Sequence, residues 1–542
     1  MPATRFFITS VVLFFVATAN PALAQQSAHA GHDAPDPSAP VLGEVNFPTG
    51  ASTASHKAFV RGVLFMHNFH YPQAAAAFRE AQHLDSTNVM AYWGEALSYT
   101  HAVWNEQDTA AADKALRRLA PTREARLALA RNPRERQWLE AAEILYSPSG
   151  SKARRDTLYS AAMERVHATD TSDVEATTLY ALSLLGLNQG DRDIPTYKRA
   201  YDLVAPVFAA HPKHPGAAHY LIHAVDDPEH AGMGLAAALA YSSIAPSAGH
   251  AIHMTSHIFL ALGKWDDVVD ANTRAQRANP SGLLTGHVVH WLHYGLLQQG
   301  RYKEADRWLD SMVRQARAGP PNRRVDCWDA AGAMASANLA DSRRWNGHAA
   351  SVSVDTTMFG PSDLVDYSAS QFGFALGALE RGQTVAFKSV LSEMEARRKA
   401  VADNANLVTA RGMAEVMEKT LRGFVQEKSG DRAGAIATFR DAANQEASLP
   451  MPFGPPLIAK PPREAAAEAL LASGHAAEAR SEFLLALART PRRPSVLLGL
   501  ARAEKALGNR AASRSRYREL LGIWHSADAD LPALSEVRAG AK

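Results

Sequence analysis

HAIHMTSHIFLALGKWDDVVDANTRAQRANP, residues 250–280, is the stretch that decides the fold. Gly263 reads as a tight turn between two helical stretches. Past it come Trp265 at two positions, Val268 at five, Asn272 at nine, Ala275 at twelve and Pro280 at seventeen. The same offsets recur elsewhere: Gly474 leads to Ala479, Phe483, Ala486 and Pro491, Gly430 to Ala435, Phe439 and Ala442, and Gly508 to Ser513, Tyr517 and Leu520. Shorter matches follow Gly300 (Tyr302, Ala305, Leu309) and Gly232 (Ala237, Tyr241), and an N-terminal unit turns at Phe69 and runs Tyr71, Ala74, Phe78, Ala81. Small residues let two helices approach, and an aromatic fills the gap between units. Self-similarity at a fixed period is the mark of a repeat array.

These units resemble the tetratricopeptide repeat over most of residues 52–525, with the glycine-anchored units specific and residues 105–200 and 305–375 fitting only loosely. The segments FMHNFHYPQAAAAFREAQ (65–82), AYWGEALSYTHAVW (91–104), HYLIHAVDDPEHA (219–231) and HAIHMTSHIF (250–259) also look like exported bacterial tetratricopeptide proteins of unassigned activity. The resemblance implies an all-α helix-hairpin solenoid whose concave groove, lined by the first helix of each unit, takes a protein or peptide. Repeats are expected over 52–375, 376–448 and 463–525, with a tail at 526–542.

At 542 residues the chain exceeds what one core organises, roughly 250 to 300 residues. Lys plus Arg is 57 and Asp plus Glu 55, so no global field draws in nucleic acid or an anionic membrane. The single cysteine, Cys327, excludes an internal disulfide and any CxxC motif, leaving packing to hold the chain together. Residues 1–24 carry Arg5, an apolar stretch from Phe6 to Ala19 and Ala22-Leu23-Ala24, the pattern of a secretory signal. Its apolar run is shorter than the roughly 20 residues that span a bilayer. The mature protein is therefore expected to be periplasmic or secreted, with no membrane span after cleavage. Residues 25–51 read as a disordered leader.

Gly430 and Gly474 stand 44 residues apart, and the excess is Leu449-Pro-Met-Pro-Phe-Gly-Pro-Pro-Leu-Ile-Ala-Lys-Pro-Pro462. So many prolines forbid a helix. An extended arm on the solenoid surface is expected at 449–462, serving as a lid or a boundary between repeat blocks.

Half of the 22 histidines lie between His211 and His293. Counted back from their turn glycines, His219, His250 and His287 all stand at thirteen, as His56 does before Phe69; His253 and His290 stand at ten and His257 at six. Such positions form one stripe of a helix. The resemblance puts that stripe on the groove, where neighbouring helices would present ladders from His219 to His250 to His287 and from His253 to His290. Helix axes 8 to 10 Å apart allow imidazoles from two or three helices to meet one ion at about 2.0 to 2.1 Å. The metal candidates are His219, His223, His250, His253, His257, His287 and His290, with a divalent transition metal (Zn, Cu, Fe or Mn) as the cofactor. Asp226 and Asp227, which follow His223, offer ligands, partners orienting imidazoles, or a helix stop. Further groove candidates are His56, His67, His101 and Glu95, the last facing the groove or a partner such as Arg61. His293 reads as a hydrogen-bonded core residue, His211, His214 and His230 as loop residues, and His83 and His475 as solvated.

Gly232-Met-Gly-Leu-Ala-Ala opens no helix after a strand, so it is not read as a dinucleotide fingerprint, and HExxH, P-loop and G-x-S-x-G motifs are absent from the sequence. Two functions remain: an exported scaffold binding a peptide or protein in its groove, and a metalloenzyme or metal carrier using the groove histidines.

Overall fold

Segments with helical period fold into 25 α-helices among the described residues, and successive helices pack as antiparallel hairpins. The structure, a computed structural model, describes residues 40–187, 192–278, 286–319 and 321–542. The expected signal segment, residues 25–39 of the leader and Pro280 lie outside the described residues. The only strands among them are the two-residue pair Thr100–His101 and Glu106–Gln107.

Gly263 (φ 64°) joins Gly249–Ala261 to Trp265–Ala278, and Gly300 (φ 69°) joins Gly286–Gln298 to Tyr302–Ala318. Gly430, Gly474 and Gly508 also hold positive φ, the left-handed conformation in which a helix ends without a Cβ clash. Phe69 makes the same turn at φ 55° between Thr53–His67 and Tyr71–Leu84. Gly232 does not: it lies in the first turn of Ala231–Ile244, and the chain reverses earlier, through Asp226–His230. The aromatic nine residues past the turn earns its place by contact. A Cβ on Gly62 or Gly94 would stand 2.6 or 2.4 Å from the Phe78 ring, and one on Gly499 would stand 2.2 Å from Phe483.

Three segments close the array on itself. Residues 41–49, expected at the end of a disordered leader, are packed: Phe47 is fully buried against Phe59, Trp93 and Trp138, with ring centroids 5.1 to 5.4 Å apart. The Asn68 amide donates to the Leu42 carbonyl at 3.0 Å. Two buried apolar residues, Leu42 and Phe47, anchor this segment without any period.

The C-terminal hairpins reach back to the central turns. Arg492 donates to the Gly263 carbonyl at 3.0 Å, Trp265 to the Arg492 carbonyl at 3.0 Å, and Trp524 to the Gln298 carbonyl at 3.1 Å. Arg493, 1% exposed, bonds Glu464 at 2.8 Å, the Tyr294 hydroxyl at 2.9 Å and Asp341.

The proline-rich arm is non-helical over 449–461, as expected, with Phe453 exposed and its end at 458–460 buried. Phe453 stacks on the His257 ring at 5.8 Å, Gly454 (φ 93°) lies against Trp291, and Ile458 and Lys460 are buried. Lys460 satisfies its ammonium on Glu464 and Glu468, both at 2.7 Å. An apolar, hydrogen-bond-poor segment is more stable against the groove wall than in water. No described helix is long and apolar enough to cross a membrane.

Candidate metal centre

Three successive hairpins bring the histidines together through their first helices, Pro215–Val225, Gly249–Ala261 and Gly286–Gln298. Pro215 at the first helical position presets the backbone of the first of these, and His214 caps it by accepting from the Ala217 amide at 3.0 Å. Its other end stops at Asp226, ahead of Asp227-Pro228.

His219 and His223 lie one turn apart on that helix, and His250 opens the next. One ring nitrogen from each lies within 4.8 Å of the others, with His219 centroids 4.9 Å from His223 and 5.1 Å from His250. The Nε2 atoms of all three are buried and have no hydrogen-bond partner. For His219 the tautomer follows from its neighbour: Nδ1 lies 2.7 Å from the His67 carbonyl oxygen, which only accepts, so Nδ1 carries the hydrogen and Nε2 a bare lone pair. Burial, then repulsion among the rings, holds His219 and His250 well below the ordinary imidazole range. Burial likewise lowers His223 to about 3, although the Asp226 carboxylate pulls the other way. These rings are neutral near pH 7, the form that ligates metal. Phe69 covers them, its ring 4.2 Å from His219 and 5.5 Å from His250, and Trp104 meets His250 edge-on at 5.6 Å.

A second trio, His253, His257 and His287, also brings ring nitrogens within 4.8 Å of one another. A third, His67, Glu175 and His214, is of another kind. Glu175 takes hydrogen bonds from His67 Nε2 at 2.8 Å and His214 Nε2 at 3.1 Å, while His67 Nδ1 meets the Tyr220 hydroxyl at 2.8 Å and His214 Nδ1 is used by the cap. Burial works to raise Glu175, but the two imidazoles outweigh it and bring the carboxyl down to about 2. Every ring nitrogen is spent, so this group is a buried structural network. Its role is to hold His67, whose carbonyl orients His219.

The remaining candidates are placed as follows. His290, lowered to about 4 by burial, joins neither trio. His56 bonds Thr49 at 3.0 Å, and His101 stacks on Tyr71 at 4.2 Å and pairs with Glu106 at 2.8 Å. Glu95 is buried and held by Gln82, Arg79 and Arg118, not by Arg61, which pairs with Glu80. Asp226 accepts from His257 Nδ1 at 2.9 Å and pairs with Arg192 at 2.9 Å. Asp227 caps the reversal through the Glu229 and His230 amides, at 3.0 and 2.9 Å. His293 is buried with neither ring nitrogen bonded, rather than hydrogen-bonded as expected.

The expected ladders re-pair. His219 meets His250 as anticipated, but His287 packs on His253 at 4.6 Å rather than continuing from His250. Offsets from a turn measure position along one helix, whereas the loops between hairpins slide neighbouring helices along each other. Gly232 is not a turn and Gly263 to Gly300 spans 37 residues, so equal offsets do not mean equal heights. His223, given no rung in the ladders, completes the first trio. Asn272 was missed as a partner, although it is polar at the ninth position, where other units carry Phe439, Phe483 or Tyr517. His214 and Glu175 were missed because their meeting depends on residues far apart in the chain.

No family model and no curated protein matches this chain. Among solved structures it is similar to human IFIT1 in a dimer with m7Gppp-AAAA (14% identity, 89% of this chain and 92% of that one, TM-score 0.37). It is also similar to a chain of the APC/C hetero-tetramer Cut9-Hcn1 (13%, 91% and 97%, TM-score 0.30) and to yeast Tom70 (11%, 90% and 95%, TM-score 0.28). These are helical-repeat proteins of the tetratricopeptide type.

Proposed function

We propose that this helix-hairpin solenoid is a transition-metal-binding protein whose principal ligands are His219, His223 and His250. The observation that carries this reading is a trio of histidines that bring one ring nitrogen each within 4.8 Å of the others and whose Nε2 atoms are all buried without a hydrogen-bond partner. A buried unsatisfied polar atom costs roughly 1 to 3 kcal/mol, and one cation relieves all three. The His67 carbonyl behind His219 is the outer partner that metal-bound imidazoles commonly have. An all-imidazole set suits zinc, copper or iron better than manganese, and three protein ligands leave a further position for water or a substrate. The other expectation, a peptide or protein in the concave groove, meets the chain's own arm at that place: Phe453 and Gly454 cover His257 and Trp291. We read residues 1–24 as an export signal, so the metal is acquired in the periplasm or outside the cell.

The test is elemental analysis of the protein purified from its native compartment, beside His219→Ala and His250→Ala. Wild type should retain metal through gel filtration, and both variants should lose it from this site. A metal-free wild type whose melting temperature is unmoved by zinc, copper, iron or manganese sinks the reading.

A further inference from the structure

We infer that the groove holds a second, separately filled transition-metal site, formed by His253, His257 and His287 and more open to solvent than the first. The inference rests on reading the groove as a metal centre, but its three ligands are distinct from those of the first trio.

The argument begins with hydrogens. Asn272 Nδ2 donates to the Val268 carbonyl at 2.8 Å, which fixes the amide so that Oδ1 faces His253 Nδ1 at 2.6 Å. An amide oxygen only accepts, so His253 carries its hydrogen on Nδ1 and leaves Nε2 bare. His257 is set the same way. Its Nδ1 lies 2.9 Å from Asp226 Oδ2, an oxygen of a carboxylate whose other oxygen pairs with the Arg192 guanidinium at 2.9 Å, so Nδ1 is the donor. Both Nδ1 hydrogens are thus committed outward, and the two Nε2 atoms face each other at 3.3 Å. Two lone pairs at that distance repel unless something positive lies between them.

A shared proton and a metal ion both meet that demand, and two features favour the metal. Ligand nitrogens about 2.0 to 2.1 Å from a tetrahedral ion stand about 3.3 Å apart, which is the separation observed, whereas a good hydrogen bond is shorter. A proton is also shared by two atoms, while here a third nitrogen, from His287, comes within 4.8 Å of both. His287 is contributed by a different hairpin and is exposed, unlike buried His253 and His257. Trp291 stacks on His257 at 4.2 Å and meets His253 edge-on at 5.2 Å.

Asp226 ties this site to the first. Its carboxylate, the His257 ring and the His223 ring of the first trio also place ligand atoms within 4.8 Å of one another. Proximity of two like charges makes filling one site weaken the other unless that carboxylate neutralises them. The exposed ligand makes the second site the one that exchanges ions with solution.

Chelator-stripped full-length protein, titrated with cobalt(II) and followed by its visible ligand-field bands, tests this directly. Wild type should take up two equivalents. His287→Ala, at an exposed position that folding tolerates, should take up one, and His250→Ala should also take up one, released faster to a competing chelator. Asn272→Ala, which frees the His253 ring, should weaken the second equivalent roughly tenfold or more and leave the first unchanged. One equivalent in wild type that persists in His287→Ala overturns the second site while leaving the first reading intact. Two equivalents persisting in both His287→Ala and Asn272→Ala without change in affinity also overturn it, and no uptake by wild type removes both readings.

Discussion

At the scale of single residues, what distinguishes one histidine from another is where its hydrogens go. His219 and His253 each lose one nitrogen to an obligate acceptor, the His67 carbonyl and the Asn272 amide oxygen. His67 and His214 spend both nitrogens. His293 spends neither, and burial lowers it to about 3. His293→Leu therefore removes an unpaired polar group from an apolar site and should raise unfolding stability by about 1 to 2 kcal/mol in urea titration. A loss of similar size would show that the imidazole has a role the geometry misses.

The same residues set the acid response. His293, folded near 3 against 6.5 in the unfolded chain, is neutral in the fold; its contribution is complete above pH 6.5 and is lost as pH falls toward about 3. Glu175, at about 2 against 4.5, contributes fully above pH 4.5 and loses that support down to about 2. Metal-free protein should thus melt at a constant temperature from pH 8 to about 6.5 and progressively lower below it, measured by calorimetry across buffers.

At the scale of elements, the offsets from Gly263, Gly300, Gly430, Gly474 and Gly508 were legible because a helix turn, a close helix approach and an aromatic spacer are local chemistry repeated along the chain. The arm was legible only as non-helical. Its place in the groove depends on Gly454, where φ is 93° and a Cβ would stand 2.7 Å from Trp291. Gly454→Ala should cost about 1 to 3 kcal/mol through backbone strain and displacement of the ring contact. Limited proteolysis would then cut within 449–461 faster than in wild type, and equal rates would mean that the arm is held elsewhere.

At the scale of the molecule, residues far apart in sequence close the array. Arg493 joins Glu464, Asp341 and Tyr294 in a buried cluster, and burial opposes its charge while Asp341 and Glu464 hold the guanidinium protonated. Arg493→Met leaves Asp341 without its cation and Glu464 with Lys460 alone, and should destabilise by about 3 to 5 kcal/mol, read as a lowered melting temperature. An ion that binds only the folded chain adds stability by mass action, about 2.7 kcal/mol at a hundredfold excess over its dissociation constant. Saturating zinc or copper should accordingly raise the melting temperature of wild type and leave that of a His219→Ala, His287→Ala double variant nearly unchanged.

The sequence by itself determined the helix hairpins and the concentration of histidines on three neighbouring first helices, because turn chemistry and helical periodicity act over a few residues. It also put His219, His250, His253, His257, His287 and His290 at matching positions of one helical stripe, a local property of each helix, while their facing a groove was implied by the tetratricopeptide resemblance. Only the tertiary structure decided how those histidines group, which nitrogens keep a free lone pair, and what covers them. Those depend on how far adjacent hairpins slide along each other and on partners such as His67, Asp226 and Asn272, brought together by packing that no local pattern encodes.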